Sequence, residues 1–129
     1  MTIQLDWGDY DQNFAIMTFQ GKWTGDEFVH SISQLTAMGR EATTQIELMV
    51  DMRNSLNPPN NLLTLLRSTL NRPLPQNIKQ VVVISNSAFW NRIFSMLSSM
   101  YGDKIKAPVL FVASVDEAYA GLDFFKGMV

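Results

Sequence analysis

The chain has 129 residues, of which 47% are apolar and 17% are charged, with a formal net charge of −2 and no cysteine. This length and composition predict one domain, residues 1–129, that buries its own core. The near-neutral balance of interspersed charges argues against a nucleic-acid partner, and the lack of cysteine excludes disulfides and thiolate zinc sites. We expect a cytoplasmic protein that does not span a membrane, because neither a signal sequence nor a long apolar run is present.

The first two predicted elements form a β-hairpin. Residues 3–7 alternate between apolar and polar, which is typical of a strand with one buried face. A polar turn over residues 8–13 leads into residues 14–19, which are apolar on both faces and predict a strand inside the sheet. Asp9 opens a pattern with EF-hand spacing, but Phe14 stands where the glycine is needed, so we expect a turn and no calcium site.

A capping box predicts where the first helix begins. Thr24 and Glu27 are spaced to satisfy two backbone N–H groups at a helix start. Trp23 and Phe28 flank them at positions where two apolar side chains pack across the start. Trp23 is therefore predicted to be structural, and Gly39 is placed to end the helix.

Strands then alternate with helices along the rest of the chain. Strands are predicted at 46–51, 78–84 and 109–113. A second helix has Pro58 in its first turn, a third runs over 88–101, and a fourth follows a capping box that begins at Ser114. The order β-β-α-β-α-β-α-β-α predicts right-handed crossovers and a largely parallel five-stranded α/β sheet, with the first strand antiparallel at or near an edge.

The usual signatures of α/β enzymes are missing. The chain has neither the G-x-G-x-x-G dinucleotide motif nor the G-x-S-x-G nucleophile motif. His30, the only histidine, is predicted to face solvent without a catalytic partner. Asp51 ends a central strand as a receiver-domain phosphoacceptor does, but residues 19–21 supply no carboxylate for magnesium. We therefore expect no enzymatic activity, no catalytic residues, no cofactor and no metal site.

The third predicted helix has an unusually broad apolar arc of about 160°. The simpler interpretation is a deeply seated helix. The alternative is a surface for oligomerisation, a lipid or a small apolar ligand, whose contacts would be Trp90, Phe94, Met96 and Met100.

The chain resembles the STAS family, named for sulfate transporters and anti-sigma-factor antagonists, and in particular its small stand-alone bacterial members. The resemblance covers nearly the whole length and rests on four stretches: Gly21-Lys22-Trp23-Thr24, Val50-Asp51, Val81-Val82-Val83-Ile84 and Ser114-Val115-Asp116-Glu117-Ala118. It implies a singly wound sheet and a non-catalytic regulatory domain that binds a protein partner. In antagonist members a serine at the start of the second helix is phosphorylated. Ser55 is the nearest candidate here, although the neighbouring acidic residue and glycine of that motif are absent.

The predicted partner site is the loop from Asp51 to Asn57, which includes Arg53, Asn54 and Ser55. It follows a central strand and opens the second helix, and open α/β sheets bind ligands at the carboxyl ends of their strands. Two interpretations stay open for Ser55: it is phosphorylated and stabilised by the helix start and Arg53, or it belongs to a turn that caps the helix. A homodimer is also open. The alternative function is a lipid or small-molecule carrier that uses the third helix.

Overall fold

A computed structural model describes residues 2–42, 44–56, 58–70, 76–101 and 108–123. Its elements follow the predicted order: β1 (Ile3–Trp7), β2 (Phe14–Gly21), α1 (Gly25–Glu41), β3 (Ile46–Ser55), α2 (Leu62–Leu70), β4 (Ile78–Ile84), α3 (Ala88–Tyr101), β5 (Val109–Val112) and α4 (Val115–Gly121). None of the helices in these ranges is long and apolar enough to cross a membrane.

The sheet is singly wound. The strands lie in the order β1-β2-β3-β4-β5, with β1 antiparallel to β2 and every later pair parallel. Each strand thus lies beside the one before it in the chain, and the antiparallel β1 forms one edge. The predicted fold class is confirmed. The carboxyl ends of β2 to β5 consequently share one edge of the sheet, and the starts of all four helices follow them there.

The main core lies between the sheet and the first three helices. Alternate residues of the strands face this side, which we call the helix face, and pack with residues of α1, α2 and α3; the buried members contributed by the helices are Leu35, Leu62, Leu65 and Trp90. Trp23 is buried in this cluster, with its ring centroid 5.7 Å from that of Phe28 and 5.1 Å from that of Phe19. The predicted packing of Trp23 across the start of α1 is confirmed.

A smaller core covers the opposite face of the sheet, where α4 packs alone among the described helices. Ala118 and Leu122 are fully buried there against the strand residues Phe14, Met49, Val82 and Ile84. Polar contacts fasten the end of this helix. The buried carboxylate of Glu47 accepts from the backbone N–H of Asp123 at 2.8 Å and from the Gln80 amide, which also donates to the Gly121 carbonyl at 2.9 Å.

Both predicted capping boxes place a hydroxyl at a helix start. The Glu27 N–H donates to Oγ1 of Thr24, and the Glu117 N–H donates to Oγ of Ser114, each at 3.2 Å. The Glu27 carboxylate also accepts from the backbone and hydroxyl of Thr2, which ties the first strand to α1. The hydrogen bond from the Thr2 hydroxyl is the main reason why the pKa of Glu27 lies below its ordinary value.

Several predicted boundaries are wrong, among them the end of the second strand, which extends to Gly21, and the end of the fifth, which lies at Val112. Helix α1 passes through Gly39 to Glu41, because Gly39 is buried and its carbonyl accepts from Asn77 at 2.8 Å. Strand β3 continues beyond residue 51 to Ser55, because its last residues pair with the end of β2. Helix α2 begins only at Leu62, so Pro58 lies before it. The proposed continuation of the fourth helix to Phe125 lies outside the described residues.

Gly8 supplies a testable packing constraint. A Cβ at this position would overlap the ring of Phe14, which is itself buried in the smaller core. We expect Gly8→Ala to lower the free energy of unfolding by about 1 to 3 kcal/mol, since the ring must move from a packed site. Gly25→Ala is the matched control, because its Cβ would make ordinary contacts at 3.5 Å with Leu65. Equal urea midpoints for the two variants would contradict this role for Gly8.

Candidate functional site

The candidate site is the carboxyl end of β3. The strand is buried from Ile46 to Asp51 and becomes exposed at Arg53 and Asn54. The chain stays hydrogen-bonded beyond the strand, because the backbone N–H of Leu56 donates to the carbonyl of Gly21 at 2.8 Å. Residues 51–55 are therefore a strand end and not the predicted loop, and their positions are fixed by pairing with β2.

A register shift orients the side chains in this segment. Thr18 of β2 lies opposite Asp51, but Gln20, two residues later, lies opposite Asn54, three residues later. The extra residue in β3 reverses the side on which the following residues lie. Met52 faces the helix face, and so does Ser55 three positions later, although a regular strand would turn it the other way.

Asp51 and Arg53 form an ion pair within the strand. The Arg53 guanidinium donates to both carboxylate oxygens of Asp51, from Nε at 3.0 Å and from Nη2 at 2.8 Å, and the Arg53 N–H donates at 3.1 Å. The Asp51 side chain is 12% exposed. Hydrogen bonds from the Arg53 side chain hold the pKa of Asp51 below its ordinary value of 3.8, against an opposing effect of burial. The Asp51 carboxylate is therefore held in place and neutralised by Arg53, and it is not a free carboxylate.

Ser55 is bound to Trp23. The indole Nε1–H donates to Oγ of Ser55 at 2.9 Å, and this hydroxyl lies 3.3 Å from the Leu56 carbonyl, to which it donates. The two groups predicted to stabilise a phosphate on Ser55 do not lie beside this residue. The start of α2 is at Leu62, seven residues further on, and the guanidinium of Arg53 is occupied by Asp51. The idea that Ser55 caps the second helix is wrong for the same reason.

The apolar arc of α3 is divided between the core and the surface. Trp90 is buried, with its ring centroid 6.1 Å from that of Trp23, and Phe94 packs edge-on against Phe111 at 6.1 Å. Met96 is half-buried, and the side chain of Met100 lies outside the described part of the helix. The packing of Trp90 and Phe94 agrees with the simpler interpretation, a seated helix.

Among the exposed apolar residues at this edge, Leu56 and Phe89 had no predicted role in a binding surface. Leu56, directly after β3, is 64% exposed, and Phe89, at the start of α3, is 46% exposed. Leu56 stands alone between polar neighbours in Ser55-Leu56-Asn57, which is a detectable signal. Phe89 lay within the broad apolar arc, and its spacing alone did not separate it from the buried Trp90. Its ring packs edge-on against Trp90 at 5.1 Å.

The possible metal ligand and the histidine singled out in the sequence, Asp9 and His30, lie in the described residues. No group of three or more potential ligands could hold a metal ion within these ranges. His30 is exposed, as predicted. The side chain of Asp9 accepts from the N–H groups of Asn13 at 2.8 Å and Phe14 at 3.3 Å, which makes it the predicted turn.

Comparison of the sequence with protein-family models and with curated proteins gives no match. The candidate site therefore rests on its own geometry.

We expect Trp23 to be the most sensitive residue of the site. Trp23→Ala should lower the free energy of unfolding by about 3 to 5 kcal/mol, from lost burial and an unfilled cavity. Trp23→Phe keeps most of the ring packing and removes the hydrogen bond to Ser55, so it should cost about 1 kcal/mol from that bond and a little more from the smaller ring. Chemical denaturation measures both. If Trp23→Ala and Trp23→Phe lower the free energy of unfolding equally, the ring packing adds nothing to stability, and the structural role of Trp23 is contradicted.

The ion pair predicts a pH-dependent effect. Arg53→Met should lower the free energy of unfolding at neutral pH by about 1 to 3 kcal/mol, because the shielded Asp51 carboxylate loses its partner. A carboxyl whose pKa is lowered by folding contributes stability above its ordinary pKa, and loses it as pH falls through the lowered value. The difference between parent and variant should therefore shrink below pH 3.8. A difference that stays constant from neutral pH to pH 3 would contradict the assignment.

Proposed function

We propose that this chain is a non-catalytic protein-interaction domain that presents the carboxyl end of β3 to a regulatory protein partner. The observation that carries the proposal is the exposure of Leu56 on a backbone that is held in place. A large apolar side chain, 64% exposed, follows a buried strand and is anchored by its own N–H to Gly21. Exposed apolar groups on rigid backbone are favourable contact points, since little conformational entropy is lost on binding.

The surroundings of Leu56 supply polar contacts of the kind found at the rim of interfaces. Asn54 is exposed beside it, and the side chain of Arg53 is 39% exposed although it pairs with Asp51. Ser55 is partly exposed and fixed by Trp23. A rigid apolar contact with polar neighbours is suited to recognising another protein surface.

The resemblance to the STAS family supports a regulatory role for this surface. The singly wound sheet is the fold that this resemblance implies, and Ser55 lies in the segment that matches the phosphorylated stretch of antagonist members. A phosphate on Ser55 would remove the hydroxyl hydrogen that is donated to the Leu56 carbonyl, and would add bulk and charge beside the Trp23 indole. Modification there would disturb the support of Leu56, which is a physical route from phosphorylation to weaker binding.

The alternative, a lipid or small-molecule carrier, depends on apolar surface of α3 being available. Trp90 and Phe94 pack into the main core, which leaves less of that surface for a ligand. Native mass spectrometry of the protein purified from its own host separates the two functions. A retained lipid would favour the carrier, and a retained protein would favour the interaction domain.

The proposed surface is tested by substitution of Leu56. The partner retained by the immobilised parent protein is identified, purified and titrated against each variant by calorimetry. We expect Leu56→Asp to weaken binding by about tenfold or more, because a central apolar contact is replaced by a charge. Ser55→Asp should also weaken binding if the surface is phospho-regulated, while Asn54→Ala tests the unmodified polar contact.

Leu110→Asp is the matched control, because it makes the same change at an exposed leucine of β5, away from the end of β3. Circular dichroism establishes that each variant is folded. If Leu56→Asp and Leu110→Asp bind the partner with the same affinity as the parent, the end of β3 is not the binding surface.

A further inference from the structure

Charge is divided unevenly along the chain. Residues 52–102 contain five of the ten basic residues, Arg53, Arg67, Arg72, Lys79 and Arg92, and none of the twelve acidic ones. The remaining residues hold five basic and twelve acidic residues, a net charge of −7. The near-neutral total therefore conceals two regions of opposite sign, and the interspersed charges inferred from composition are wrong for this half of the chain.

The basic region includes an exposed surface with both apolar and cationic groups. Leu63 and Phe89 are each the second residue of their helix and are 53% and 46% exposed. One turn later on each helix stands an exposed arginine, Arg67 on α2 and Arg92 on α3. We call these four residues the basic surface. Within the described ranges neither arginine pairs with a carboxylate.

The two helices bring these residues to one side of the molecule. Both α2 and α3 connect neighbouring strands and pack on the helix face. Crossover helices that connect successive pairs of neighbouring strands on one face of a sheet lie next to each other in the order of the strands. Since Leu63 and Phe89 both lie in the first turn, they stand at the same carboxyl edge of the sheet. Neither first turn contains an acidic residue of its own that would offset the positive end of the helix.

The turn between β1 and β2 carries an aromatic residue and acidic residues, which complement the apolar and cationic groups of the basic surface. Tyr10 is 99% exposed and is flanked by Asp9 and Asp11. We call these three residues the acidic tip. The hydrogen bonds of Asp9 to the backbone of Asn13 and Phe14 hold the turn, while Asp11 is exposed. An aromatic ring on a braced turn is a low-entropy contact group.

The acidic tip and the basic surface lie at opposite edges of the sheet. The tip precedes β2, which runs parallel to β3, so it lies at the amino edge, whereas Leu63 and Phe89 lie at the carboxyl edge. The eight residues of β2 span about 25 Å. The tip of a chain therefore does not reach the basic surface of the same chain, and any contact between them joins two molecules.

We propose that the acidic tip of one copy docks on the basic surface of a second copy, head to tail. The Tyr10 ring packs against Phe89 and Leu63, and the Asp11 carboxylate faces Arg92 or Arg67. The two contact regions differ, so a pair of copies still has one free acidic tip and one free basic surface. Further copies can add there, which gives an open chain or a closed ring. The basic surface does not include Leu56, and the inference does not depend on the proposed function.

The test is sedimentation velocity on the parent protein and two double variants over a range of concentrations. The parent should form species larger than the monomer at low salt, and high salt should shift it towards monomer, because screening weakens the charge contacts. The tip variant, Tyr10→Ser with Asp11→Lys, should be monomeric. The surface variant, Phe89→Ser with Arg92→Glu, should also be monomeric.

The decisive sample is an equimolar mixture of the two variants. The surface variant keeps an intact acidic tip, and the tip variant keeps an intact basic surface. One contact can therefore form between one molecule of each variant. We expect a dimer and nothing larger. Asp6→Lys and Lys22→Glu, which change charge equally at exposed positions elsewhere, should assemble as the parent does. Tyr10→Ser alone tests the contact at a residue that cannot support the fold, given its exposure.

Three outcomes would overturn the proposal. The first is a parent that stays monomeric at every concentration at low salt. The second is assembly of either double variant to the same extent as the parent. The third is a mixture of the two variants that remains monomeric although circular dichroism shows both to be folded.

Discussion

Trp23 lies where four elements meet, and the arrangement of the carboxyl edge depends on it. Its ring packs against Phe19 of β2, Phe28 of α1 and Trp90 of α3, while its N–H bonds Ser55 of β3. Few other groups could do both, because a buried indole offers a large apolar area and a single donor. The helix starts and the strand ends are therefore held in one relative position at this edge.

The second constraint is the sheet topology, which places different chemistry at its two edges. A singly wound sheet sends each crossover in the same direction, so α1, α2 and α3 share one face. The helix starts and the end of β3 then lie at the carboxyl edge, and the acidic hairpin turn lies at the other. Within the carboxyl edge, the first turns of α2 and α3 contain no acidic residue, whereas those of α1 and α4 each contain two.

Most of the fold followed from local patterns in the sequence. Alternation of apolar and polar residues, capping boxes, and glycine or proline at the ends of elements were enough to predict every element in order. Each of these patterns reflects a local constraint. The continuation of β3 to Ser55 could not be predicted, because Asn54 has a low strand preference and the segment is held by pairing with β2. The register shift that turns Ser55 towards Trp23 is likewise a tertiary effect with no signal in the chain. The candidate residues were therefore identified, but their partners were not.

Hydrogen bonds to Trp23 and Gly21 anchor the end of β3 as a rigid surface. Hydrogen exchange measured by NMR tests this anchoring most directly, at the indole N–H of Trp23 and the backbone N–H of Leu56. We expect slow exchange at both groups in the parent, and faster exchange at the indole in Ser55→Ala, since each N–H is hydrogen-bonded in the folded protein. Exchange at the Leu56 N–H as fast as in an unstructured peptide would contradict it.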